Sequence, residues 1–422
     1  MYNFFTKFNV LNTSQFGFRE GHSTTLALSE FVESTLSSFD EGNAVCAVLL
    51  DLSKAFDCVD RKILLNKLEY YGIRGQMLKL LESYLSERKQ FVDFGGYVST
   101  CKSIDIGVPQ GSVLGPLLFL VYINNLQNNT TLKVLNFADD TLLYTTLKKN
   151  TYQQDNIYLN SQLENVSKWL INNRLKHNVN KTRYMLFHSC KTEVWKYTNL
   201  DIKIGNSSIL KVENYKYLGV TIDSNLNWYD HIEAVKTKLL KTIGILYKTR
   251  HFLNQNSLYY IFNSLLMSHV RYGLLCWGRA SKTKITEIDK LINRALRCIH
   301  FKGWNESVKS IKIEKKILNV ENMFKYELGV FMHKFKRDSL PVNFKPYFTR
   351  VNTIHNHSTR FSEKNYYIPR VNSIYGCKTL SYLGCKVWEE IPRKLKDQSY
   401  LGAFQSGLKI VLLKNQSDRM KN

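Results

Sequence analysis

Apolar residues run unbroken from Ala44 to Leu50 (AVCAVLL), a length that suits a buried strand and is short for a helix. The run ends on a carboxylate, Asp51. Two further β-prone runs, from Leu132 to Tyr144 (LKVLNFADDTLLY), flank the adjacent acids Asp139 and Asp140, the pattern of a hairpin with acids at its turn. Between these sites lies Gly107 to Pro116 (GVPQGSVLGP), a rigid loop with three glycines and two prolines, followed by the helix-like LLFLVYINNL. From His231 the period changes: Ile232, Val235, Leu239, Ile243 and Leu246 recur at three- and four-residue steps with lysines between them, as on a one-faced helix. Similar stretches run from Leu258 to about Val270 and from Ile285 to Ile299. The expected class is α+β: a mixed domain over 1–222, a helical domain over 223–300 and a basic mixed region over 301–422, ending in a frayed polar tail, NQSDRMKN.

Composition narrows the partner. With 44% hydrophobic and 13% aromatic residues and only 6 prolines, the 422-residue chain has the means to build cores and is no disordered or disulfide-stapled polypeptide. Lys and Arg number 59 against 35 Asp and Glu, a formal charge of +24. Residues 1–222 carry 24 basic and 20 acidic residues, and 223–422 carry 35 and 15, so the second half is the expected footprint for a polyanion, the plain alternative being a solvated surface. The 8 cysteines are dispersed and read as reduced thiols of an intracellular protein; His355 and His357 with Cys377 and Cys385 match no common metal-site spacing. The longest apolar run, Leu117 to Ile123, falls far short of the ~20 residues a membrane span needs, so no membrane partner is expected.

An acid at the end of a buried strand is a frequent metal-ligand position, and equally a helix cap or a solvated turn residue. Asp139 and Asp140 say more, because adjacent carboxylates at a packed turn repel unless cations neutralise them. Hard divalent ions suit such oxygens, Mg²⁺ first. A polar hairpin turn is the plain alternative. Gln110, between the glycines and prolines of its loop, adds a hydrogen-bonding side chain that a turn does not need.

At this point the chain resembles a known family. D-L-S-K-A-F-D (Asp51 to Asp57), G-V-P-Q-G-S-V-L-G-P-L-L-F and F-A-D-D (Phe137 to Asp140) stand in the order and spacing of the palm motifs of reverse transcriptases of jockey-like non-LTR retrotransposons. Q-F-G-F-R-E-G-H-S-T (Gln15 to Thr24) is similar to a fingers motif, Trp169 to Thr182 to the helix and loop after the active site, and Y-K-Y-L-G-V-T-I-D (Tyr215 to Asp223) to the primer-grip hairpin. Tyr272-Gly273, Trp277-Gly278 and Val387-Trp388 extend the likeness more diffusely.

The resemblance implies a right-hand polymerase palm with partial fingers, a helical thumb and a basic C-terminal region, copying template RNA into DNA from a primer or target DNA and dNTPs. It implies that Asp51 and Asp139 hold two Mg²⁺ ions (Mn²⁺ being the substitute), with Asp140 completing the cluster and the Leu52 carbonyl a further ligand. Phe56 takes the place of the steric gate against a ribose 2′-hydroxyl, its ring expected over the cleft, or is an ordinary core phenylalanine. Gln110, Gly111 and Ala138 are implied in nucleotide binding. Lys181 matches the residue that protonates the leaving pyrophosphate, or is a solvated loop lysine. The family carries an R-P-I-S-like fingers segment upstream of Gln15 that has no counterpart here, which leaves a non-catalytic nucleic-acid-binding remnant as the alternative function. Trp277 and Trp388 are either base-stacking or core residues.

Overall fold

In the computed structural model, which describes residues 1–148, 151–190, 200–351 and 365–418, the Ala44–Leu50 run is the middle strand of a five-stranded sheet. Asp140–Leu147 and Arg183–Phe187 flank it antiparallel, Lys133–Phe137 forms the edge beyond Asp140–Leu147, and Leu210–Lys211 adds a short parallel strand beyond Arg183–Phe187. All seven residues of the middle strand are buried, which is why the sequence shows no alternation there. Ala44, Cys46, Val48 and Leu50 share a core with Leu118, Phe119 and Tyr122 of the Leu114–Ile123 helix and with Leu163, Val166 and Leu170 of the Tyr152–Asn172 helix. The Leu114–Ile123 helix is apolar all round because it is buried nearly all round. Its one hydroxyl is satisfied: Tyr122 Oη donates to the Asn173 carbonyl at 2.5 Å and accepts from Asp60 N–H at 3.2 Å.

The chain divides into two units, one of Met1–Ala27 with Asn43–Val212, the other of Leu28–Gly42 with Glu213–Asn422. The division falls a little ahead of residue 222 because the hairpin Asn214–Tyr217/Val220–Asp223 is tied into the second unit. Tyr272 Oη donates to the Leu218 carbonyl at its tip, and a side chain on Gly219 (φ +80°) would strike the same tyrosine ring. Asp223 closes the hairpin by accepting from the N–H groups of Asn225, Asn227 and Trp228, which sets the start of the Tyr229–Thr249 helix. That helix packs on Lys282–Ile299, and Val320–Lys336 packs on Leu380–Glu390 and Leu401–Asp418. The expected stretch from Leu258 onward is helical as Gln255–Ile261, a π-helical turn Phe262–Met267 and Ser268–Arg271.

One expectation is corrected and one alternative is decided. The polar tail is not frayed through Asp418: the last helix continues to that residue, and Gln416, 3% exposed, accepts from Asn319 N–H and donates to the Ile317 carbonyl. Trp277 and Trp388 are fully buried, which is the core alternative of the two offered by the sequence; the Trp277 indole N–H donates to the Tyr272 carbonyl. All 8 cysteines are free. No described helix is long and apolar enough to cross a membrane. His355 and His357 lie outside the described residues.

Leu28–Gly42 joins the second unit through a buried ion pair. The Glu33 carboxylate, 2% exposed, lies 3.6 Å from Arg279 NH1, 1% exposed, and accepts from the N–H groups of Leu380 and Ser381 at the start of a helix. Breaking such a pair leaves an uncompensated buried charge. Arg279→Met is therefore expected to cost about 3–5 kcal/mol, read as a shift in the denaturation midpoint; a shift equivalent to less than ~1 kcal/mol, the level of an exposed pair, would show that water reaches the site.

Candidate active site

The register of the sheet brings the three acids together. Leu50 pairs with Thr141, and Phe137 pairs with Asp140 across a two-residue turn of Ala138 and Asp139. Asp51 therefore leaves the middle strand beside the point where Asp140 enters its neighbour, at the ~5 Å spacing of paired strands. The electrostatics agree. Asp139 titrates above its ordinary value, first through burial and then through Asp51, partly offset by its own backbone N–H. Burial, then repulsion from Asp139 and Asp51, pushes Asp140 up to about 6. Because Asp140 keeps open surface, the repulsion, which reports proximity, is the more telling cause.

The turn is held from below by a segment more than a hundred residues away in sequence. Ala138 sits at φ +58°, a left-handed conformation costly for a residue with a Cβ and matched to a primed hairpin turn. Its N–H donates to Gln15 Oε1, which also accepts from Gly17 N–H. Phe16 N–H donates to the Asn136 carbonyl and Asn136 N–H to the Ser14 carbonyl, so Ser14–Gly17 lies along the edge strand. A Cβ on Gly17 would come within 2.3 Å of the Ala138 nitrogen, which explains the glycine. Arg19 is turned inward and donates to the Asn12 and Gln15 carbonyls. The sequence offered Gln15 to Arg19 only as part of a motif; its one direct signal is a glycine between two aromatics.

Asp51 is held from the other side by the loop after the Tyr152–Asn172 helix. Asn178 N–H donates to the Asp51 carbonyl at 2.7 Å, Asp51 N–H reaches Thr182 Oγ1 at 3.4 Å, Leu52 bridges His177, and Ser53 N–H donates to the Lys176 carbonyl. Lys181 is exposed on this loop, between the Asn178 and Thr182 contacts to Asp51.

Phe56 is half-buried and belongs partly to the core, which corrects the expectation of a ring clear of it. Its ring stacks on Phe119 at 4.3 Å between centroids and meets Phe18 edge-on at 6.4 Å. Gln110 is exposed and donates from Nε2 to Asp57 Oδ1 at 2.7 Å. Arg61 clamps the approach to this loop, donating to the carbonyls of Ile104, Ile106 and Gly107. Gly107, at φ +82°, presses against the Asp57 backbone, which lies 2.9 Å from where its Cβ would be. Gly111, at φ +76°, has open space around it. Gln110 lines a basic cleft of about 850 Å³ with Lys54, Arg61, Arg88 and Lys89; the three acids and Phe56 do not line that cleft. Asp57 and Arg61, absent from the sequence-based set, thus position the loop.

Among the described residues no three His, Cys, Asp or Glu side chains form a closed metal-binding group. The acids are neighbours sharing an electrostatic field, in which the carboxyls of Asp139 and Asp140 titrate above their ordinary value. That donor set fits Mg²⁺, which is held by one or two carboxylates with substrate phosphates and water completing its shell.

Residues 1–222 match the family model described as reverse transcriptase (RNA-dependent DNA polymerase). The chain is 28% identical over 346 residues to the RNA-directed DNA polymerase from mobile element jockey of Drosophila melanogaster, covering 76% of this chain and 36% of that protein. It is 29% identical over 316 residues to the probable RNA-directed DNA polymerase from transposon BS of the same species, covering 70% and 33%. The chain thus spans about a third of the length of these curated relatives. A solved structure of telomerase from Candida albicans, in complex with a fragment of telomeric RNA, aligns at a TM-score of 0.38 and 14% identity over 80% of this chain and 50% of that one. With the family model covering more than half of its residues, the chain belongs to the reverse transcriptase (RNA-dependent DNA polymerase) family.

Proposed function

We propose that this chain is the polymerase part of a mobile-element protein, an RNA-directed DNA polymerase that extends a primer or target-DNA 3′-end on an RNA template. The observation that carries the reading is the convergence of Asp51, Asp139 and Asp140 at the end of one sheet, with repulsion among them left for a cation to relieve. Residues 1–222 act as palm and fingers, 223–300 as a helical thumb and 301–422 as a basic nucleic-acid-binding region. Bound at the acids, two Mg²⁺ ions would lower the pKa of the primer hydroxyl and stabilise the leaving pyrophosphate.

The chain's own residues do the rest. Asp51 and Asp139 would hold the ions, Asp140 adds negative charge beside them, and the Leu52 carbonyl would be a further oxygen. The strained turn at Ala138 presents Asp139 to the nucleotide. Phe56, braced by Phe119, blocks a 2′-hydroxyl. Gln110, oriented by Asp57, and Gly111 face the sugar and the base pair. Lys181 donates a proton to pyrophosphate as the bond between the α-phosphorus and its bridging oxygen breaks and the 3′-oxygen, its own proton released to water, takes its place.

Asp139→Asn is expected to reduce primer extension on an RNA template with Mg²⁺ and dNTPs to background while leaving the fold intact. Wild-type-like extension by this variant would remove the acids from the mechanism.

Phe56→Val is expected to raise ribonucleotide relative to deoxynucleotide incorporation by about tenfold or more, an estimate set by the ~1–3 kcal/mol of a lost steric contact. Unchanged sugar selectivity in a folded, active variant would leave Phe56 as the partner of Phe119 alone.

The raised titration of Asp140 has a definite sign. A carboxyl whose folded-state pKa lies above its unfolded value favours folding at low pH and loses that contribution as pH rises through about 6. Without divalent ions, Asp140→Asn is therefore expected to raise the melting temperature near neutral pH and not below 3.8, the ordinary value. Mg²⁺ is expected to stabilise the wild type more than the variant, and an equal response would detach Asp140 from the metal site.

A further inference from the structure

We infer that a cleft in the second unit, lined by its π-helical turn, binds the phosphate backbone of a single nucleic-acid strand. The inference rests on the polymerase reading, which supplies a polyanionic template, and assigns a grip on it to residues of the second unit.

Two cavities lie side by side here. One, of about 260 Å³, is lined by Arg271, Lys315, Lys316 and Lys409 together with Glu327 and Asn263. The other, of about 310 Å³, is lined by Tyr259 and Tyr260 and shares Asn263, Lys315 and Ile317 with the first. Adjoining cavities with common walls suit a strand running along them. Lys315 is paired with Glu314 at 2.9 Å, and the remaining three cations, Arg271, Lys316 and Lys409, face the one lining carboxylate, Glu327, which leaves a positive surplus. Lys409 titrates below its ordinary value through burial and then repulsion from Arg271 and Lys316, so these cations face one another. Such a gathering is unfavourable alone and is relieved by an anion.

The backbone is unusual on two sides of the cleft. Asn263 and Met267 belong to the π-helical turn Phe262–Met267, a rare feature that is frequent at functional sites. Lys316 follows the Lys309–Glu314 helix at φ +52°, where glycine would be unstrained, so this lysine is carried at a conformational cost. Tyr260, 76% exposed, offers a ring face for a base beside the basic cavity. Lys315 lies over the Tyr259 ring at 5.4 Å, and the Tyr259 hydroxyl meets His300 Nε2 at 2.7 Å, which fixes that side of the cleft. Basic side chains interleaved with aromatic faces are the chemistry that holds a single strand without reading its sequence.

The test titrates the full chain against labelled single-stranded RNA at several salt concentrations, comparing wild type, the cleft variant R271Q/K316Q/K409Q and a control of equal charge, K290Q/K394Q/K414Q, whose lysines are exposed and do not line the cleft. Losing three phosphate contacts should make the slope of log affinity against log salt shallower by about 2, at ~0.7 per contact on a single strand. The control should change it by less than one contact's worth. Tyr260→Ala should weaken binding about five- to tenfold or more, as expected for one lost stacking contact of ~1–3 kcal/mol. Should the triple variant not fold, R271Q alone should lower the slope by about 0.7. Cleft and control variants that bind alike, in a protein whose wild type extends primers, overturn the cleft and leave the polymerase reading in place. A wild type that binds no RNA overturns both.

Discussion

One antiparallel register carries the candidate site. Pairing of Leu50 with Thr141 sets Asp51 next to Asp140, and pairing of Phe137 with Asp140 leaves two residues, Ala138 and Asp139, to turn the chain. A slip of one residue would reverse the facing of every side chain in the Asp140–Leu147 strand, turning Leu142 and Leu143 away from their partners and separating the acids. The burial of all seven residues from Ala44 to Leu50 is what makes that slip costly. Packing of apolar strands thus holds three like charges where they repel, and core stability supports a locally unfavourable arrangement.

Polar contacts over long sequence distances then refine the site. Gln15 spans 123 residues to reach Ala138, and Gln110 spans 53 to reach Asp57. Both bonds serve strained or glycine-dependent backbone, and both leave the chemistry to neighbouring residues. The second unit uses the same device: Glu33 reaches Leu380 and Arg279, and Asp40 accepts from the Asn372 and Ser373 N–H groups. A segment near the N-terminus therefore belongs energetically with residues more than two hundred positions later.

The positive surplus of the second half is not uniform. Lys312 is buried and spent on Asp289 at 3.7 Å, and Lys236 and Lys284 are engaged with Glu233 and Glu287. Such lysines serve the fold or its surface network. Around the π-helical turn Lys315 is likewise paired with Glu314, whereas Arg271, Lys316 and Lys409 face one another with Glu327 as the one carboxylate lining that cavity.

An unbroken apolar run marked the Ala44–Leu50 strand, β-prone runs the acid-tipped hairpin, and three- and four-residue spacing the amphipathic helices over Tyr229–Thr249 and Lys282–Ile299, because each is a local pattern of buried positions. Motif order marked Asp51, Asp139 and Asp140 as a set, since short runs of residues at a strand end and a turn carry that information in sequence. What only the tertiary structure decided is which distant groups meet: Gln15 beneath Ala138, Asp57 beside Gln110, Asp223 as the cap before Trp228, and Gln416 drawn into the core from an apparently polar tail. Phe56 shows the same division, its place in the motif being visible and its stacking on Phe119 not. Side-chain bonds to remote backbone leave no periodic trace along the chain. Their partners are chosen when the sheet and helices pack, by whichever polar group is then buried and unsatisfied.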